Sequence, residues 1–324
     1  VSPEFSLIFK QIAPVVGSDP ELVLGIGDDA ALVSLPEAGE QVLAMDTLVA
    51  GRHFFPEQSA YDVGWKALAV NLSDLASMGA VPRFALLSLS LPQHLVMDQQ
   101  AMWVSEFMRG WQAVAQPFGV VLIGGDTTVS PTLSISVTVI GYRPASSRAM
   151  LRQSAQVDDD LWVSGSIGSA GLALALLLSG EMPTELLAQA LHRPLPRIAL
   201  GQALLPLVNA AMDVSDGLLA DLSHILHASG GIGAELYWEE IPMRVEVKAW
   251  ADADAFLPLI AGDDYELLFS ASARQRDAIM QTAQACQTPV TRIGRLTAQS
   301  GMKVIKNGQV LSLPSRLGFD HFQS

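Results

Sequence analysis

The chain has one cysteine, Cys286, in 324 residues. An internal disulfide is impossible, so the fold relies on packing alone, as expected of a protein in a reducing cytoplasm. Positive charge is scarce as well. Lys and Arg number 19 against 33 Asp and Glu, a formal net charge of −14, which argues against nucleic acid or an anionic membrane as partner. None of the five lysines stands in a G-x-x-x-x-G-K-[ST] loop, so a P-loop nucleotidase is excluded. Long apolar runs are missing too: the longest, Ala170–Leu178, is too short to span a bilayer. Val1-Ser2-Pro3-Glu4-Phe5 lacks the basic stretch and apolar core expected of a signal peptide. What remains is 50% hydrophobic and 16% charged, ample for a large interior, and the length favours two domains.

Against that background the acidic residues are unevenly placed. Six segments set aspartate beside Gly, Ser or Thr at breaks in the hydrophobic pattern: GIGDDA (25–30), MDT (45–47), NLSD (71–74), GGDTT (124–128), DVSDG (213–217) and GDDYE (262–266). Carboxylates at the ends of core elements can converge in a cleft. Hard oxygen ligands in such number suit Mg²⁺, which in proteins usually accompanies phosphate. A single Asp beside Gly or Ser is most simply a cap or turn former, but capping alone is a poor account of six. Asp216 is placed to cap the helix after DVSDG and to bind metal at once.

Hydrophobic periodicity sets the frame. It predicts helices at about Glu4–Val16, Tyr61–Met78 (ended by Gly79) and Asp98–Gln116, and strands at Gln41–Met45, Phe84–Leu91 and Val120–Ile123. Thr132–Ile140 alternates apolar and hydroxyl residues and is expected at a sheet edge or subunit interface. Between Arg143 and Asp160 the chain turns polar, with Pro144 and three successive aspartates. The boundary is placed there, giving domains 1–148 and 149–324. Beyond it, Leu161–Ser164 is a strand and Ala170–Leu178, Thr184–Leu191 and Arg197–Val208 are helices. A helix at Leu218–Ala228, strands from Gly233 and over Tyr265–Phe269, a helix near Ala273–Ala285 and short terminal strands complete the pattern. The fold class is α/β (α+β): two domains of mixed sheets flanked by helices.

Other chemistries fit less well. GIGDDA has the glycine spacing of a dinucleotide turn, but Asp28 and Asp29 would face the pyrophosphate. Asp46 after a strand suggests an aspartyl nucleophile, yet Leu48 stands where a second acid is needed. Asp221, His224 and His227 share a helical spacing that suits either a transition-metal site or a polar face. The turn from Ser164 to Ser169 opens a helix and could cradle an anion or simply pack tightly.

Read in order, GIGDDAALV, MDTLVAGRHF, KALAVNLSDLASMGA, IGGDTT, DVSDGLLADL, GDDYELLF and GFDHF resemble the thiamine-monophosphate kinase family across nearly the whole chain. That family is related to aminoimidazole ribonucleotide synthetase and selenophosphate synthetase. The resemblance implies transfer of the ATP γ-phosphoryl group to thiamine monophosphate with several Mg²⁺ ions, giving thiamine diphosphate. It also implies a homodimer joined through the N-terminal sheet, and a C-terminal domain that completes the cleft. Carried over by position, Asp29, Asp46, Asp74, Asp126, Asp213 and Asp216 would hold metal, with Met45 contributing only its backbone carbonyl. Asp46, Asp74, Asp126 and Asp213 would form the catalytic unit. Gly125, Asp126, Arg148 and Ser215 would meet ATP, and His53, Asp263 and Phe319 the thiamine phosphate. The chain departs from the pattern at Ala44-Met45, where hydroxyl residues are frequent, at Asp263, where Glu is usual, and at Phe319, where Tyr or Trp is frequent. The rivals are a sister ATP-dependent synthetase with another acceptor, and a non-catalytic metal- or nucleotide-binding protein.

Overall fold

The computed structural model describes residues 7–15, 17–26, 31–34, 39–92, 97–143 and 148–319. It divides into two compact units, one of Val1–Leu75 with Ala80–Ser146, the other of Ala76–Gly79 with Ser147–Ser324.

In the first unit a short antiparallel pair, β1 (Leu22–Leu24) and β2 (Leu32–Val33), precedes a four-stranded sheet. That sheet consists of β3 (Glu40–Val49), β4 (Val81–Pro92), β5 (Val121–Ser130) and β6 (Ser134–Arg143), in the order β3-β6-β4-β5. Only β4 and β5 run parallel, as their helical crossover requires. Two long helices accompany the sheet: α1 (Ala60–Ser77) and α2 (Met97–Phe118). They meet at reciprocal glycines. A Cβ on Gly64 would lie 2.0 Å from the Phe107 carbonyl oxygen, and one on Gly110 would lie 1.8 Å from that of Tyr61. Only hydrogen at both positions allows this approach. One sheet face is a dry apolar layer of Ala85, Leu87, Leu89, Ile135, Val137 and Val139. The opposite face leaves Leu43 and Met45 exposed beside half-buried Ser136 and Thr138.

Three local expectations are corrected here. The opening segment is not one α-helix: Ile8–Ile12 makes a π turn and Ala13–Val15 a 3-10 turn. Pro14 lacks the N–H that an α-helical bond would need. Of the two settings expected for the Ser/Thr-rich strand β6, the sheet edge is overturned: it lies inside the sheet, between β3 and β4, because alternating polarity marks an open face rather than an edge. Asp46 and Asp126 lie inside strands, not at their ends. The β-branched residues that follow, Thr47 and Val49 or Thr127, Thr128 and Val129, carry both strands onward.

The second unit holds a seven-stranded sheet in the order β13-β12-β9-β11-β7-β10-β8. Its strands are β7 (Asp160–Ser164), β8 (Ala210–Asp213), β9 (Gly233–Tyr237), β10 (Leu267–Ala271), β11 (Val290–Thr297), β12 (Gly301–Lys306) and β13 (Gln309–Leu311). Around it lie α3 (Ser169–Ser179), α4 (Glu185–His192), α5 (Ile198–Leu204), α6 (Leu218–Ala228), α7 (Val245–Trp250), α8 (Leu257–Ile260) and α9 (Arg276–Ala285). Leu161, Val163, Met212 and Leu268 of the sheet form one buried cluster with Leu218, Leu222 and Ile225 of α6. The aspartates taken for a polar linker are partly interior. Asp159 accepts from Asn209, Ser270 and the Gln156 N–H, and Asp160 pairs with Arg276 and Arg292. Strand β10 begins at Leu267 rather than Tyr265, because Asp263 and Tyr265 have left-handed backbones (φ 69° and 50°).

Candidate functional site

In the second unit DVSDG forms the exit from β8 into α6. The helix is not capped by Asp216, as expected, but begins at Gly217 (φ 122°) without a side-chain cap. Asp221, in the first helical turn, takes that role. Its Oδ2 accepts the N–H groups of Ser215, Asp216 and Gly217 at 3.0, 3.1 and 3.1 Å, satisfying the donors of the loop that leads into the helix. The carboxyl group is buried, and burial first, then the nearby charges of Asp213 and Asp216, pushes its pKa up to about 8. Asp221 therefore belongs to neither a polar face nor a three-residue set with both histidines. Ligand atoms of Asp216, Asp221 and His224 lie within 4.8 Å of one another, and His227 is not among them.

Two further segments are fastened to this loop by their backbones. Asp263 N–H donates to Ser215 O (2.9 Å), and Phe319 N–H donates to Asp216 O (2.8 Å). Both joints need glycine. A Cβ on Gly262 would lie 2.3 Å from Ser215 O, and one on Gly318 would lie 2.5 Å from Asp216 O. DVSDG, GDD and Gly318-Phe319 thus become one cluster, with Asp213 buried and Phe319 exposed. The Arg316 guanidinium lies 5.9 Å from the Phe319 ring centroid. An aromatic ring held by its backbone yet open to solvent can stack on a flat ligand. Residues 320–322 of GFDHF lie outside the described residues.

The turn from Ser164 to Ser169 is met by a carboxyl group from elsewhere in the chain. Both Asp264 oxygens accept from Gly168 N–H, at 3.0 and 2.8 Å, at the start of α3. Burial raises the Asp264 carboxyl well above its ordinary range. Beside it, Glu266 accepts from Arg197 at 2.7 and 2.5 Å and from Ser164 Oγ at 2.5 Å. Of the two readings of this turn, the structure takes the packed one, with an internal carboxylate in place of a ligand. Asp264, Tyr265, Glu266 and Arg197 had no assigned role in the sequence reading. A carboxylate in the first turn after DVSDG was the available signal for Asp221.

In the first unit Asp46 and Asp74 are half-buried and Asp126 is exposed. Asp46 N–H donates to Asn71 Oδ1 (2.9 Å), which ties β3 to α1. Asn71 in turn donates to Ala67 O (3.0 Å), so the motif's asparagine is a fully enclosed strut. Met45 is 65% exposed, leaving its backbone as the group that strand geometry fixes. Gly125 has φ 151°, and a Cβ there would lie 1.8 Å from Leu87 O, so glycine is required beside Asp126. His53 Nδ1 accepts Val49 N–H (3.0 Å), which places the proton of the neutral ring on Nε2. Arg148 is exposed. Asp29 lies outside the described residues. Lys66, buried within α1, approaches His53 O at 3.5 Å and was not singled out by the sequence reading.

Two family models match the chain: AIR synthase related protein, N-terminal domain, over residues 27–142, and AIR synthase related protein, C-terminal domain, over 156–307. The thiamine-monophosphate kinase of Salmonella typhimurium is 38% identical, with 98% of each chain covered. Among solved structures, thiamine-monophosphate kinase from Stenotrophomonas maltophilia K279a superposes with a TM-score of 0.85 at 41% identity, covering 94% of this chain and 97% of that one. AaThiL complexed with AMPPCP and TMP superposes with a TM-score of 0.75 at 30% identity, covering 89% of each chain.

Proposed function

Because this chain belongs to the thiamine-monophosphate kinase family, within the AIR synthase related proteins, we propose that it transfers the γ-phosphoryl group of ATP directly to thiamine monophosphate. The bond from the γ-phosphorus to its bridging oxygen breaks, a phosphate oxygen of the acceptor bonds to that phosphorus, and ADP leaves. The observation that carries this reading is the backbone-joined cluster of DVSDG, GDD and Gly318-Phe319. It sets carboxylates of the kind a hard cation takes beside an exposed aromatic ring, which supports an acceptor with a phosphate and flat rings.

Mg²⁺ fits the donor chemistry. Burial first, and then the charges of Asp213 and Asp216, raise the Asp221 pKa, and a hard cation would offset the negative charge gathered there. Asp213 and Asp216 in this unit, and Asp29, Asp46, Asp74, Asp126 and the Met45 carbonyl in the other, would hold the ions. Bound there, Mg²⁺ would neutralise phosphate charge. Ser215, Gly125, Asp126 and Arg148 would meet ATP, and His53 would donate from Nε2 to the acceptor phosphate. With Nδ1 occupied and Nε2 protonated, His53 is a donor rather than a base. This suits an acceptor phosphate that is already ionised near neutral pH.

Domains 1–148 and 149–324 act together in a homodimer joined through the open face of the N-terminal sheet. Exposed Leu43 and Met45 on that face support this arrangement. The lone cysteine supports a cytoplasmic site of action; no helix of the described residues is long and apolar enough to cross a membrane. The test compares ADP release and product identity with thiamine monophosphate and with free thiamine, at saturating Mg-ATP. Thiamine diphosphate should form from the first, and no product from the second. Comparable turnover on free thiamine would overturn the base-free assignment.

A further inference from the structure

We infer that Tyr265 is a positioning residue that aims the Asp263 carboxylate at the ring end of the acceptor, with Asp264 as the anchor of both. The inference rests on the reading of Asp263 as a substrate contact and names what makes that contact effective. Asp263 and Tyr265 are both left-handed, φ 69° and 50°, and flank a half-buried residue whose carboxyl group holds Gly168 N–H. Residues other than glycine adopt this conformation rarely, and it persists only where the surroundings over-determine it.

Here the constraints are visible. Both Asp264 oxygens hold Gly168 N–H. Asp263 N–H is fixed to Ser215 O at 2.9 Å, and Tyr265 N–H to Val214 O at 2.8 Å. The backbone of the segment is therefore pinned on both sides. Tyr265 constrains the Asp263 side chain as well, since its phenol donates to Asp263 Oδ1 at 3.0 Å. The left-handed turn at both residues brings the side chains of positions 263 and 265 together in this bond.

Chemistry decides which part of the acceptor such a carboxylate meets. An anion repels the phosphate end but accepts hydrogen bonds from an amino group and attracts a cationic ring. Thiamine monophosphate carries that amino group on its pyrimidine, the ring farther from the phosphate, and its cationic charge on the thiazolium between the two. Asp263 is one methylene shorter than Glu and less able to search for a partner, so its aim depends on the phenol.

The test is a double-mutant cycle of Tyr265→Phe and Asp263→Ala, read as KM for thiamine monophosphate, KM for ATP, kcat and melting temperature. Tyr265→Phe keeps the ring and removes only the hydroxyl. It should raise the acceptor KM by up to about tenfold, the worth of the charged hydrogen bond from acceptor to Asp263 that would lose its aim. KM for ATP, kcat and the melting temperature should hold. In the Asp263→Ala background Tyr265→Phe should add nothing, because its effect passes through the missing carboxylate. If Asp263→Ala raises the acceptor KM while Tyr265→Phe does not, or if the two effects multiply, the positioning role is overturned. If Asp263→Ala leaves that KM unchanged, Asp263 is not a substrate contact, and the inference falls with that reading.

Discussion

The two units hold their acidic segments by different means. In the first, Asp46 and Asp126 lie inside ten-residue strands, so the sheet ladder fixes their backbones and a single buried asparagine finishes the job at Asp46. In the second, Asp213, Ser215, Asp216 and Asp263 lie at or beyond strand ends. Their loops are held by two internal carboxylates, Asp221 on three N–H groups and Asp264 on the start of α3. A ladder distributes its support over many bonds. A carboxylate strut concentrates it in one residue, and so places both precision and fragility there.

The largest expected effect asks whether both kinds of support serve one reaction. Asp126→Asn in the first unit and Asp213→Asn in the second should each lower kcat by about 100-fold or more, since each removes a charge that would hold metal. The double variant should be little worse than either single one, because residues acting as a unit are strongly non-additive. Independent, multiplying effects in steady-state assays would split the units into separate roles. The next effect sharpens the contrast itself. Asp221→Ala leaves three N–H groups without their acceptor and should cost about 3 kcal/mol or more. Asn71→Ala, which removes the equivalent strut beside a ladder, should cost about 1–2 kcal/mol. Denaturant titration of both variants decides it, and equal losses would mean that the ladder confers no advantage.

How far the sequence went follows the same division. Helix α1 and its Gly79 stop, α6 from Leu218 to Ala228, and the two-domain α/β class were legible, because long periodic apolar patterns specify them. The acidic segments stood out as candidates by composition and family pattern. Their setting was not. Nothing in MDT or GGDTT says that the strand continues through the aspartate, since that depends on pairing with β6 and β4, far away in the chain. Asp221 and Asp264 were missed as struts for a related reason. A carboxylate that serves backbone N–H groups has the same letter as a metal ligand, and only its hydrogen-bond partners tell them apart.

The smallest expected effect is a slope rather than a loss, and it belongs to Asp264. Burial raises its folded-state pKa above the ordinary carboxylate value. The folded protein therefore binds this proton more tightly than the unfolded chain does. The stability it contributes is present in full below the unfolded pKa and is lost as pH rises through the folded one. In Mg²⁺-free buffer the wild-type denaturation midpoint should fall as pH climbs out of the acid range. Asp221, whose pKa is raised to about 8, adds a fall of the same sign. Asp264→Asn keeps the shape and an oxygen for Gly168 N–H but cannot ionise, so its midpoint should fall less steeply, leaving the share that belongs to Asp221. No such change is expected from Asn71→Gln in the first unit, where the strut is an uncharged amide. Superimposable wild-type and Asp264→Asn curves would show that the charged carboxylate is fully accommodated at the start of α3. The second unit's loops would then be no more sensitive to protonation than the first unit's strands.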